Sequence, residues 1–234
     1  MEANIDNEED QQEIAEQERI AAAAASKRRH LKINSVLERK EKFPLRNRNK
    51  IDVLIKEFLK NLGNDIHELL CDIDVENYDG LDSDRDTEEE VETALRIFPK
   101  VLSRKGGCFD EYPIHYLASS YRCNVKAISF IPIVARVAIE LGVLFDGEEE
   151  RGGLLCYDNE NDNVLQNLMN SDFPIQLGNR EYHEPIDDKY LQVLIQLRKM
   201  NLFKKDDIQM NALVTELCNR YYHFSEKRFR FLVE

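Results

Sequence analysis

Cysteine is scarce in this 234-residue sequence, and no cysteine pair has metal-binding spacing. The five cysteines are odd in number, scattered and without a C-x-x-C pair, which argues against a secreted disulfide framework and against a zinc finger. Because free cysteine is readily buried, we expect reduced thiols that are partly buried. No apolar run approaches the roughly 20 residues of a membrane-spanning helix, so we expect no membrane partner.

The start of the sequence also lacks the character of a targeting leader. Eight acidic residues precede the first basic residue, Arg19, whereas secretory and mitochondrial leaders are basic. We therefore expect a cytoplasmic protein, with the nucleus as the alternative compartment.

The motifs of common enzymes and cofactor-binding proteins are missing as well. The pairs Gly106-Gly107 and Gly152-Gly153 indicate turns, since the sequence contains no G-x-x-x-x-G-K-[ST] motif. The stretch Asp82–Asp86 has the first three ligand positions of an EF-hand, but Thr87 and Thr93 replace the glycine and glutamate that the calcium loop needs. We expect no metal, no cofactor and no catalytic activity, and an enzyme on a helical scaffold remains an alternative.

Acidic residues outnumber basic ones by 45 to 32, and ten of the basic residues lie in one block. The formal net charge is −13, and such a surface repels phosphates, so nucleic acid is an unlikely partner for the whole chain. Residues 27–50 form a basic block beside an acidic segment. The block supports an alternative in which the chain is a nuclear adaptor or regulator, with Lys27–His30 as an import signal.

Charge and apolar spacing divide the chain into four parts. Residues 1–49 favour helix but have few recurring apolar residues, which predicts a mobile, charged and partly helical tail. Residues 50–73 form a helical segment whose amphipathic helix must bury one face and ends at Gly63. Residues 74–86 are an acidic linker, and residues 87–234 form the main domain.

From residue 87 onward, one predicted helix follows another, and clear strand alternation is absent, so the fold class is all-α. Asp86 or Thr87 caps the first helix. Pro132 fits the first turn of a long apolar helix. Gly142 and Asn201 end two such helices, because glycine and asparagine tolerate the left-handed conformation there. The helices predicted after the first cover residues 113–120, 127–141, 163–169, 188–200, 206–219 and 225–232.

Internal similarity recurs at intervals of about 50 residues. Short helices begin near Pro113, Val164 and Ala212, and the first two are each followed by a loop and a longer apolar helix. A two-helix unit cannot bury its apolar face alone. Stacked units therefore form a solenoid with long inter-helix loops, a concave surface and finger loops.

The first short helix carries a family resemblance. The run Asp110-Glu111-Tyr112-Pro113-Ile114-His115-Tyr116-Leu117-Ala118 fits the ankyrin repeat, in which a turn precedes Thr-Pro-Leu-His-x-Ala. Tyr112 replaces the family threonine, and the repeat is longer than the usual 33 residues. The chain resembles the degenerate, long-spaced ankyrin-like proteins that form large multigene sets in algae and diatoms, and the resemblance covers roughly residues 90–234. The residues of the structural repeat motif are Pro113, Ile114, His115, Leu117, Ala118 and Gly142.

The resemblance implies that His115 bonds backbone groups and locks adjacent repeats, and that the chain binds other proteins. We therefore predict a non-catalytic protein–protein interaction module or scaffold whose partner is another protein. The candidate partner-binding residues are the aromatics Tyr112 and Tyr116, which we expect to be exposed, and Phe145, Glu148, Glu149, Glu150 and Arg151 at the loop 146–160.

Overall fold

The computed structural model describes residues 5–72, 74, 77–118, 125–143, 150–170, 180–218 and 224–234. In these ranges the regular structure is helical, which confirms the all-α fold class, and β-structure is limited to two isolated bridges. No helix in the same ranges is long and apolar enough to cross a membrane. The α-helices are α1 (Ile5–Glu38), α2 (Leu45–Cys71), α3 (Glu88–Ile97), α4 (Pro113–Ala118), α5 (Ile131–Leu141), α6 (Val164–Asn167), α7 (Arg180–Lys199), α8 (Lys205–Met210), α9 (Leu213–Leu217) and α10 (Glu226–Val233).

The chain forms two compact units, Met1–Lys60 and Asn61–Glu234. In the first unit, α1 is one continuous helix. It covers most of residues 1–49, which we predicted to be only partly helical. A short 3₁₀ turn separates α1 from α2, and beside it Lys40 Nζ lies 2.7 Å from a carboxylate oxygen of Asp52. This ion pair is open to solvent, so it orients the turn more than it stabilises the unit.

Helix α2 does not end at Gly63, so that prediction is wrong. The helix continues to Cys71. A β-carbon added at Gly63 would lie 3.3 Å from Cδ1 of Phe98, so the glycine sits where the helix and the Phe98 ring approach closely. Glycine inside a helix costs about 1 kcal/mol relative to alanine. The contact with Phe98 offsets that cost, and the glycine serves packing instead of termination.

The local start and stop signals of the second unit are confirmed. Helix α3 begins with a capping box, in which the Thr87 hydroxyl accepts from Glu90 N and the Glu90 carboxylate accepts from Thr87 N. Pro132 lies in the first turn of α5. Gly142 follows α5 with φ 60°, and Asn201 follows α7 with φ 59°, so both helices stop at a left-handed residue.

The core of the second unit is centred on α5. Five of its side chains have no exposed surface, and the helix contacts α3, α4 and α7. A helix that is buried on several sides has to be enclosed by neighbours on each of them. The five fully buried residues are Ile131, Val134, Ala135, Val137 and Ala138.

Two series of neighbouring helices surround this core. The short helix α6 contacts α4 on one side and α9 on the other. Among the longer helices, α5 contacts α3 and α7, and α7 contacts α10. Along the chain, a member of the short series is followed by a member of the longer series: α4 by α5, α6 by α7 and α9 by α10.

Six of the polar bonds between neighbouring segments have similar sequence separations. Arg136 on α5 binds Glu92 on α3 at 2.9 Å, and the Asn163 amide before α6 donates to Asn211 Oδ1 at 2.7 Å. The same kind of bond joins Arg96 to Glu140, Lys126 to Asp82, Asn159 to Glu111 and Arg151 to Asp207, and in all six pairs the partners are 44 to 56 residues apart.

A buried arginine attaches the last helix to the middle of the unit. The Arg228 side chain on α10 is fully buried, and its guanidinium lies 2.8 Å from Asp187 on α7. It also donates to the carbonyls of Leu168 at 2.8 Å and Met169 at 3.1 Å. These carbonyls follow α6, where the last turn of a helix leaves acceptors without partners. Arg228 therefore satisfies acceptors that packing has removed from water.

Replacing Arg228 with alanine would leave Asp187 buried without its cation and two carbonyls without donors. We expect Arg228→Ala to lower the free energy of unfolding by about 3–5 kcal/mol, measured by urea denaturation at neutral pH. Arg230→Ala is the matched control, because Arg230 lies on the same helix and its side chain is 70% exposed beside Glu226. Equal losses in the two variants would show that Arg228 does not hold α10 in place.

Candidate protein-binding surface

The predicted repeat motif lies in α4 and belongs to the interior. Pro113, Ile114, Leu117 and Ala118 are all buried. Pro113 is the first residue of the helix, where its missing N–H and fixed φ are tolerated. The motif therefore packs α4 against α5 and α6, and none of these four side chains is available to a partner.

His115 does not make the backbone hydrogen bond that the ankyrin resemblance implies, so that prediction is wrong. The residue is 2% exposed, and neither ring nitrogen has a hydrogen-bond partner among the described residues. Desolvation lowers the pKa of His115 to about 4, although Asp158 acts in the opposite direction. An imidazole that is buried without partners opposes folding, because it gives up its hydrogen bonds to water.

Tyr116 is not an exposed contact residue, so its assignment to the partner-binding surface is also wrong. It is 1% exposed, and its hydroxyl donates to Gly106 O at 2.5 Å and accepts from Phe109 N at 2.9 Å. Its ring stacks on that of Phe109 with a centroid distance of 6.2 Å. The Tyr116 hydroxyl thus holds the turn Gly106–Glu111, whose two ends are joined by an isolated β-bridge.

Three of the other predicted contact residues, Tyr112, Glu150 and Arg151, lie within the described ranges. Tyr112 packs against the core and, like Glu150, is half-buried. The Arg151 side chain is 13% exposed and pairs with the buried Asp207, so it joins two parts of the protein and its assignment to partner binding is wrong. The remaining candidates, Phe145, Glu148 and Glu149, lie outside the described residues.

The structure instead brings two turns together. Gly106–Glu111 precedes α4, and Tyr157–Asn163 precedes α6; each turn is closed by an isolated bridge. Asn159 joins them, since its side-chain amide donates to Phe109 O at 2.6 Å and its backbone N–H donates to Glu111 at 3.1 Å. We call the exposed side chains of the two turns the turn surface: Cys108, Phe109, Asp110, Tyr157, Asn159, Glu160 and Asn161.

Two aromatic side chains are displayed on the turn surface. Phe109 is 42% exposed and Tyr157 is 64% exposed. Neither residue was predicted from the sequence, although a repeated signal marks both. Cys108-Phe109-Asp110 and Cys156-Tyr157-Asp158 are the same Cys–aromatic–Asp triplet, placed before α4 and before α6. The triplet falls at different points of the two turns, because Phe109 lies three residues after the bridging Gly106 and Tyr157 is itself a bridging residue.

Two carboxyl groups next to these aromatics, those of Glu111 and Asp162, have raised pKa values. Desolvation, together with Asp158 and Glu160, raises the pKa of Glu111 above its ordinary value, and the N–H of Asn159 acts against this. Desolvation and Asp158 likewise raise the pKa of Asp162. A carboxylate with a raised pKa is stabilised by any cation brought near it. The turn surface is therefore electrostatically suited to positively charged groups.

The oxygens of Asp158 are used to build the second turn. Oδ1 accepts from Glu160 N at 2.9 Å and Asp162 N at 3.0 Å, and Oδ2 accepts from the Asn167 amide at 3.0 Å. Its acceptor sites thus shape the backbone of the turn. Across the described ranges, no group of three or more His, Cys, Asp or Glu side chains is arranged to hold a metal ion.

No protein-family model matches this chain, and searches of curated proteins and of solved structures also find no match. The ankyrin resemblance therefore stays a prediction that rests on the residues of this sequence.

His115 gives a test of the buried, unpaired imidazole. Its folded-state pKa of about 4 lies below the ordinary value of 6.5, so the unfolded chain binds more protons between these pH values. The part of the free energy of unfolding that depends on a neutral His115 is then fully present above about pH 6.5. It is lost as the pH falls toward 4. We expect His115→Leu to be at least as stable as wild type at neutral pH and to remove about 3 kcal/mol of this pH dependence. Urea denaturation at both pH values measures the effect, and a clear loss at neutral pH would mean that the imidazole makes a stabilising bond.

Proposed function

We propose that this chain is a non-catalytic protein-interaction module or scaffold, built as an ankyrin-like helical solenoid, which binds a basic segment of another protein at the turn surface. The observation that carries the proposal is the pair of exposed aromatic side chains, Phe109 and Tyr157, on turns that Asn159 bonds together. Exposed aromatics on a rigid support are typical anchors of protein interfaces, because they bury a large area with little loss of side-chain freedom.

Three observations support the repeat architecture within this proposal. From α4 to α10, short and longer helices alternate except that the short helices α8 and α9 follow one another, and each series has contacts between successive members. A Cys–aromatic–Asp triplet precedes both α4 and α6. Six of the polar bonds between neighbouring segments join residues 44 to 56 positions apart, which is the separation expected if units of about 50 residues stack in order.

The chemistry of the turn surface indicates a basic partner segment. Glu111 and Asp162 have raised pKa values, and Asp110 and Glu160 add exposed negative charge beside the two rings. Lysine or arginine side chains of a partner would lower these carboxyl pKa values and could stack on Phe109 or Tyr157. Complementary charge of this kind mainly sets the association rate and the choice of partner.

The proposal predicts that the two aromatics carry most of the binding free energy. We expect the Phe109→Ala, Tyr157→Ala double variant to lose proteins that the wild-type chain retains from a lysate of the native cell. For one purified partner, we expect at least tenfold weaker binding in calorimetry, which corresponds to about 1.4 kcal/mol or more. Ile139→Ala is the matched control, because Ile139 is 43% exposed and belongs to α5 and to neither turn.

Salt gives a second measurement on the same purified pair. Exposed opposite charges are screened as ionic strength rises, so binding of a basic partner should weaken steadily between low and high salt. If the double variant retained the same proteins as the wild type, or if binding proved insensitive to salt, the turn surface would not be the contact site.

A further inference from the structure

Residues 27–60, which lie entirely in the first compact unit, carry a charge opposite to that of the rest of the chain. This basic segment contains twelve lysine and arginine residues against four acidic residues, whereas the remaining sequence contains twenty basic and forty-one acidic residues. Segregation of charge on this scale creates a local positive potential within a chain of negative net charge. The basic segment is therefore suited to an anionic partner, although the chain as a whole is acidic.

Two of the four carboxylates in the basic segment are already taken by neighbouring cations. Lys40 pairs with Asp52 at 2.7 Å, and Arg48 pairs with Glu41 at 2.9 Å. Other cations of α2 remain exposed and available to a partner. In the part of the chain that the structure describes, the basic residues of α2 without an ion pair include Arg46, Lys50, Lys56 and Lys60.

Large apolar side chains are exposed in the same segment. On α2, Leu54 is 64% exposed, Phe58 is 63% exposed and Leu59 is 45% exposed. We predicted from their spacing that this helix buries one face, and these side chains are exposed instead. Exposed apolar side chains concentrated in one segment indicate a surface that a partner covers. Half of the large apolar side chains that are exposed in the described residues belong to the basic segment: Leu31, Ile33, Leu37, Leu45, Val53, Leu54, Phe58 and Leu59.

In the first half of α2, residues 45–60, apolar and basic side chains occupy different sides of the helix. At 3.6 residues per turn, Lys50 borders one edge of the apolar side and Lys56 borders the other. A helix with an apolar side and lysines along both edges is suited to lie in the plane of a membrane surface, because the lysine side chains can extend to the headgroups. The apolar side consists of Ile51, Leu54, Ile55, Phe58 and Leu59, of which Ile51 and Ile55 are half-buried.

We propose that the first half of α2 binds the surface of an anionic membrane. Its apolar side enters the boundary between headgroups and acyl chains, and its lysines lie among the negatively charged headgroups. The remaining cations of the basic segment, in α1 and in the turn before α2, add to the attraction. The lack of a membrane-spanning run, on which we based the expectation of no membrane partner, does not bear on a helix that lies in the surface.

The combination of exposed cations and exposed apolar side chains favours a lipid surface over nucleic acid. Nucleic acid would pair with the cations, but it would leave Leu54 and Leu59 in water and would find few aromatic side chains on which its bases could stack. An anionic bilayer supplies dense negative charge and an apolar interior together. Repulsion from the acidic remainder of the chain is limited, because charges are screened beyond about 8 Å at physiological ionic strength.

The first experiment measures co-sedimentation of the purified full chain with vesicles of equal parts phosphatidylserine and phosphatidylcholine at low salt. We expect Phe58→Asp to weaken binding to these vesicles about tenfold or more, because a carboxylate would then enter the acyl boundary. Val53→Asp is the matched control, which should bind nearly as well as the wild type. Val53 is 63% exposed, the same as Phe58, but the helical repeat places it on the polar side of α2.

The second experiment separates local charge from net charge. We expect the Lys50→Glu, Lys56→Glu variant to lose about tenfold or more in binding to the same vesicles. The Lys100→Glu, Lys199→Glu variant is its control, because it changes the net charge equally and both lysines are exposed in the second unit. This control should bind like the wild type. Vesicles of phosphatidylcholine alone should bind the wild type much more weakly.

Three outcomes would overturn the inference: no binding of the wild type to phosphatidylserine vesicles, equal losses in Phe58→Asp and Val53→Asp, or equal losses in the two lysine variants. Binding to a single-stranded oligonucleotide that Phe58→Asp leaves unchanged, without binding to vesicles, would assign the basic segment to nucleic acid instead. The Phe109→Ala, Tyr157→Ala variant should bind vesicles like the wild type. Failure at the turn surface and failure at the basic segment can therefore be told apart.

Discussion

Helix α5 is apolar on nearly every side, and the need to enclose it governs the second unit. Its buried residues include Ile131, Pro132 and Ile133 in the first turn, which point in different directions around the helix axis. A single partner helix can cover only one side, so α5 requires α3, α4 and α7 together. A helix pair such as α4 and α5 cannot be stable alone under this constraint. That requirement is the physical condition under which helical units stack.

Apolar burial forces the helices to pack, but it does not decide which neighbours meet. Polar groups supply that selection. Arg228 is fully buried and finds its acceptors only where Asp187 and the carbonyls after α6 converge. The pair of Arg151 with Asp207 acts in the same way between another two segments. Because desolvation of a buried charge nearly cancels its attraction, we interpret these bonds as devices that fix the order of the helices more than as net sources of stability.

The features that could be predicted from the sequence depend on a few neighbouring residues. The cap at Thr87 and the left-handed stops at Gly142 and Asn201 follow from backbone rules that act within one turn of helix, and all three are present.

The wrong predictions concern residues whose role is set by distant parts of the chain. Gly63 looked like a stop because the Phe98 ring that it accommodates is distant in sequence. Tyr116 looked exposed because aromatic character alone does not reveal the turn folded over its hydroxyl. Phe109 and Tyr157 could have been found, since their repeated triplet is visible in the sequence.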